Sequence, residues 1–242
     1  MMRFLKGAGI LVGLALILSS CSKSSSPTSS QTAPKLTAPT FSGPAPSTPP
    51  SDTSSGYQGY FYATTVADLF TATAQSYMGM YTGNGTQSGN SWTWTYSAGG
   101  FTATWTATLS GSNYDWKLVY NGTDNQVNYS NWTAISGSET TDGKSGNWTI
   151  YYPPTTVAAY QLSWSTESNG TLTGTIVVNN DTTGAVESKQ VFTNNTDKSG
   201  ELVVYYGNGP QKEWDITWKA DGSGEYTMWD DQGNVVGTGS WS

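Results

Sequence analysis

The chain has 242 residues, with 10 basic and 17 acidic side chains, a single Cys and no His. Those counts exclude a disulfide within the chain, a zinc site built from the usual ligands and any nucleophile that depends on a His partner. The net charge of −7 argues against nucleic acid, which needs a basic footprint.

Residues 1–20 have the composition of a signal peptide. Arg3 and Lys6 make a short basic start, and Ala8 to Leu18 is an apolar run of 11 residues. A bilayer span needs about 20, so the run suits the apolar region of an export signal. It leads into Leu18-Ser19-Ser20-Cys21, where Cys21 is the only cysteine. An aliphatic residue, two small residues and a Cys at this place resemble the lipobox of bacterial lipoproteins. The resemblance implies cleavage before Cys21, a thioether-linked diacylglycerol on its sulfur and an acyl chain such as palmitate on the new α-amine. Two or more chains anchor stably where one does not. Ser22 follows in place of Asp, which by the same resemblance favours the outer membrane. Without residues 1–20 the chain keeps eight Lys against 17 acids, a net side-chain charge of −9, so the expected membrane contact is the lipid alone.

Residues 21–56 are expected to be the lipidated Cys21 and a linker rich in Ser, Thr and Pro. Seven of the ten prolines fall between Pro27 and Pro50, and Leu36 and Phe41 are the only large apolar residues before Tyr57. Such a composition buries too little surface to offset its ordering entropy. A flexible tether of this length would average about 30 Å from end to end.

Residues 57–242 read as a single β domain preceded by one helix. The helix is expected over Tyr62–Tyr81, where Val66, Leu69, Phe70, Thr73, Ala74, Tyr77 and Met78 keep a 3.6-residue period. Thr64 or Thr65 is its expected cap, Asp68 falls in its first turn, and Gly83 and Gly85 stop it. After it the pattern changes to period two. Trp92, Trp94 and Tyr96 alternate with Thr93 and Thr95, and Phe101, Ala103, Trp105, Ala107 and Leu109 alternate with threonines. Similar runs recur to the end, separated by short Gly, Asn and Asp clusters of the kind that join antiparallel strands. About twelve strands follow from this. No gap accommodates a crossover helix, so the fold class is mainly β, an antiparallel meander curled into a barrel or half-barrel with the helix on its aromatic face.

Three segments of about 55 residues repeat: 88–144, 145–198 and 199–242. Each opens on a Ser-Gly pair (Ser88-Gly89, Ser145-Gly146, Ser199-Gly200) and carries a Trp on its longer strand (Trp105, Trp164, Trp218). The order of one helix and a long antiparallel run resembles the half-barrels of bacterial lipoprotein carriers and receptors, which implies room for an apolar ligand inside the curl.

Most Trp and Tyr lie on the inward register and serve as core. Tyr151, Tyr205 and Trp229 point opposite to their strand neighbours, which makes them the candidate ligand contacts, for a glycan or a lipid. Asp230-Asp231-Gln232-Gly233-Asn234 and Asn179-Asn180-Asp181 lack the spacing of a calcium loop, and turn chemistry accounts for them. The glutamates, Glu139 among them, fall in or beside expected turns with no facing pair, so no catalytic residue, metal or cofactor is assigned. Two functional expectations result. One is a lipid-anchored cell-envelope protein with a non-enzymatic domain in a structural or interaction role. The other is a ligand-binding lipoprotein, holding a glycan on exposed aromatics or an apolar ligand in a half-barrel cavity. A protein partner is not named by the sequence.

Overall fold

The computed structural model describes residues 33–36, 39–78, 85–124 and 126–242, with only the backbone for 69–78. Residues 1–20 and Cys21 lie outside the described residues, as do Tyr81 and Gly83. One helix, α1 (Tyr57–Met78), precedes thirteen strands: β1 (Thr86–Ser88), β2 (Ser91–Ala98), β3 (Phe101–Ser110), β4 (Asn113–Asp124), β5 (Val127–Thr140), β6 (Ser145–Tyr151), β7 (Ala158–Thr166), β8 (Leu172–Asn179), β9 (Val186–Asn194), β10 (Gly200–Tyr206), β11 (Lys212–Trp218), β12 (Gly224–Trp229) and β13 (Val235–Trp241). They form one antiparallel meander in chain order. β1 and β13 do not pair, so the sheet stays open and curls as a half-barrel. The count agrees with the expected number of about twelve. β5 is long but polar, and β1 has only three residues.

The inner face is aromatic, as period two requires. Trp105, Trp116 and Trp148 are at most 2% exposed. Strands bearing so many indoles need space opposite the rings, and at three of them near the sheet's end glycine provides it. Gly146 pairs directly with Trp164, Gly200 with Trp218 and Gly224 with Trp241. In each pair the ring lies where a Cβ on the glycine would project. The indole N–H then donates to a turn carbonyl: Trp164 to Gly143 O at 3.2 Å, Trp218 to Lys198 O at 3.1 Å and Trp241 to Gly222 O at 2.6 Å. The three turns are built alike around Asp142, Asp197 and Asp221. Asp197 and Asp221 each accept the hydroxyl and amide of the Ser two residues on. Those hydroxyls hold both carboxyls below the usual range. In the three turns the acceptor residue has φ of 70°, 83° and, for Lys198, 74°. A side chain in this left-handed region costs about 1 kcal/mol relative to glycine. Lys198→Gly is therefore expected to raise stability by about 1 kcal/mol, read as a higher denaturation midpoint in urea at unchanged slope.

The eighth and ninth strands break the series. Leu172 and Asn194 occupy the place of the Gly–Trp pair. Here the chain supplies an aromatic ring from elsewhere. Phe41 lies on Gly174, 5.3 Å from Phe192. Asn194 holds the backbone of Ser42 by two hydrogen bonds, accepting from its N–H at 2.9 Å and donating to its carbonyl at 2.8 Å. Leu36 is 2% exposed and Phe41 4%. Further along, Ala45 and Pro46 press on Gly222, Gly43 on Thr64, and Gly56 on Ser240. Residues 39–56, expected from composition to be an unstructured linker, thus form a strap across the sheet. Phe41 enters a place already shaped by glycine, at Gly174.

The strap leads directly into α1, which starts at Tyr57 instead of Tyr62. Its start is set by packing. A Cβ on Gly59 would strike the Tyr226 ring, Tyr62 stacks on Trp214 at 4.9 Å, and Tyr60 meets Trp241 edge-on at 6.2 Å. Thr64 is consequently interior to the helix, its hydroxyl donating back to the carbonyls of Tyr60 and Phe61. Thr65 is interior too, and the first turn contains no acid. Tyr62, Ala63, Val66 and Ala67 are buried, so the helix does lie on the aromatic face.

Candidate functional site

The strands have a strap end, with the turns at 140–145, 194–200 and 218–224, and a far end, with the turns at 124–127, 151–158 and 207–211. At the far end the sheet forks. β5 pairs with β6 only over Ile135–Glu139, while its first half, from Val127 to Thr133, pairs with β4 alone. The ladder between β4 and β5 shifts register after Leu118 and again beyond Tyr120. Such bulges bend a strand and increase its twist. Asn131, at φ 50°, is locked in the bend by Asn121, which accepts its N–H at 2.7 Å and donates to its side-chain oxygen at 3.1 Å.

The loop between β6 and β7, containing a cis Pro153–Pro154 bond, fills the fork. Trp132 pins it, donating its indole N–H to Thr155 O at 2.6 Å. Trp132 is itself braced by Tyr129 at 5.2 Å and Tyr120 at 5.5 Å. Inside the loop Thr155 Oγ1 donates to Tyr152 O and accepts from Val157 N. A groove of about 910 Å³ opens between this loop and the strands. Lys117, Asn128, Trp132, Ser136, Tyr151 and Thr155 are among its lining residues, and no carboxylate is.

Three adjacent strands contribute the floor. Ser136 stands directly opposite Lys117 on β4 and Thr149 on β6. Tyr151, two residues beyond Thr149 on the same face, reaches back across β5, its phenol 3.0 Å from Ser136 Oγ. Its ring therefore lies across the sheet. A half-exposed flat ring, hydroxyls, amides and one ammonium face the same space.

Of the three aromatics singled out by register, only Tyr151 lines this groove. All three occur at bulges, where the ladder skips one residue. Tyr205 is covered by Lys189, whose Nζ is 4.7 Å from the ring centroid. Trp229 is half-buried, its carbonyl accepting from the Tyr206 phenol at 2.9 Å. Trp132, Lys117 and Ser136 were not selected from sequence. Trp132 sits in a polar strand with no alternating signal, and Lys117 looks like any solvent-facing lysine until the pairing is known. Glu139, expected beside a turn, is 2% exposed on β5, opposite Gly146. Asp230 serves its own turn, accepting from the backbone N–H of Gln232 and Asn234 and from the Asn234 amide. Among the described residues no three potential metal ligands converge.

No protein-family model matches the chain, and no curated protein does.

Proposed function

We propose that the protein is a lipid-anchored protein of the bacterial cell envelope, tied to the outer membrane through Cys21, whose β domain binds glycan without cleaving it. The observation that carries this reading is the Tyr151 ring, half-exposed and reaching across to Ser136, in a groove lined by amides and hydroxyls. Sugar rings present C–H faces to aromatics and hydroxyls to amides, so this combination suits a saccharide better than a lipid tail. Glycoside hydrolysis needs two carboxylates across the scissile bond, and the groove lining contains none. The aromatic face inside the curl is packed by α1 and the strap, so the apolar-ligand reading has less support there.

The full-length chain in detergent micelles, titrated calorimetrically with a glycan panel, tests the proposal. Tyr151→Ala is expected to weaken binding about tenfold, the equivalent of ~1.4 kcal/mol for a lost stacking contact. Binding that survives Tyr151→Ala unchanged would refute this site. Incorporation of labelled palmitate should be abolished by Cys21→Ala.

A further inference from the structure

The groove contains a single charged group, and its sign is opposite to that of the protein. Acids outnumber bases 17 to 10 in the chain, yet the groove is lined by Lys117 and no Asp or Glu. Three other lysines are occupied. Lys212 pairs with Asp215 at 2.6 Å, Lys144 approaches Asp142 at 3.9 Å, and Lys189 covers Tyr205. Lys117 is exposed and forms no salt bridge among the described residues. The nearest acid along its strand, Asp115, faces Thr108 and Ser138, two residues further toward the strap end on the same face, and does not line the groove.

The register places this ammonium beside the aromatic platform. Lys117 is directly opposite Ser136, roughly 5 Å across the ladder, and Ser136 holds the Tyr151 phenol. A pyranose lying on Tyr151 would thus direct a substituent across Ser136 toward Lys117. In an acidic protein, whose overall field repels anions, a lone unpaired cation at that point favours a carboxylate on the sugar.

Resting on the glycan reading above, we infer that the groove is a subsite for acidic polysaccharide, with Lys117 binding the carboxylate of a uronic acid residue stacked on Tyr151. Two pairs of probes test it: oligogalacturonate against its methyl ester, and an alginate oligomer against its carboxyl-reduced form. Each pair keeps the sugar backbone and removes the charge. Titrated into the full-length chain in micelles at low salt, the acidic member should bind about threefold to fivefold tighter. The preference should shrink at high salt. Lys117→Gln should abolish it, lowering the acidic member's affinity to that of the uncharged one. Equal binding of both members in both pairs would overturn the inference, and so would a Lys117→Gln variant that weakens both members alike. Either result leaves the glycan site itself intact. If no glycan of any charge binds in a Tyr151-dependent way, both readings fall.

Discussion

Trp218→Ala is expected to lower the stability of the domain by about 3–5 kcal/mol, the range for removing a large buried ring. The position is demanding for two reasons. The ring is 3% exposed and fills the space left by the missing side chain of Gly200, with which it pairs. Its removal leaves a cavity whose floor is backbone, which does not collapse. The indole N–H also ties β11 to Lys198 O in the turn between β9 and β10. Trp218→Phe separates the two contributions, retaining most of the packing and losing a bond worth about 1 kcal/mol. Gly200→Val should approach the effect of Trp218→Ala from the opposite side, since the added branches must displace the ring. Urea unfolding followed by circular dichroism measures all three. A Trp218→Ala midpoint close to that of the parent would show that the ring is not holding these strands together.

Phe41→Ala is expected to cost a comparable ~3–5 kcal/mol, despite lying in a stretch whose composition reads as linker. The ring is buried between Gly174 and Phe192 and completes a position that other hairpins fill with their own Trp. Loss of the ring should also release the two hydrogen bonds between Asn194 and the Ser42 backbone. Hydrogen exchange at the Ser42 amide, which donates to Asn194, reads this directly, with protection in the parent and little in the variant. Asn194→Ala should speed exchange of the same amide by removing its acceptor. Unchanged exchange in Phe41→Ala would mean that the strap is held by other contacts.

The sequence made the large features legible for a plain physical reason. Alternation of Trp and Thr along β2 and β3 expresses burial on one face only, and short Gly, Asn and Asp clusters leave no room for crossovers. The helix was visible from Val66 and its neighbours, but its start was not, because Gly56 and Gly59 act through contacts with Ser240 and Tyr226 and through no capping signal. The Ser-Gly pairs at 145–146 and 199–200 were legible as spacing, whereas the ring seated on each glycine across the ladder required the register, and in the first segment Trp105 faces Trp94 and Leu118 instead. The strap was hidden because composition averages over a segment, and a few side chains, Leu36, Phe41, Pro34 and Pro44, carry the burial. Tyr151 stood out by parity alone. Its partners Ser136 and Lys117 did not, since which residues face each other across β4, β5 and β6 depends on bulges that leave no mark in the sequence.

The strap also gives the molecule a direction. Its contacts at Asn194, Gly222 and Ser240 all fall at one end of the strands, and the groove opens at the other. At most about 70 Å of chain contour separates Cys21 from Phe41. With lipid on Cys21, as proposed, a pull from the membrane enters the domain at the strap end. The sheet would then stand with its strands pointing away from the bilayer, with Tyr151 at the far end of β6 and the β4–β5 hairpin projecting beyond it, presented to whatever polymer lies above the lipid surface.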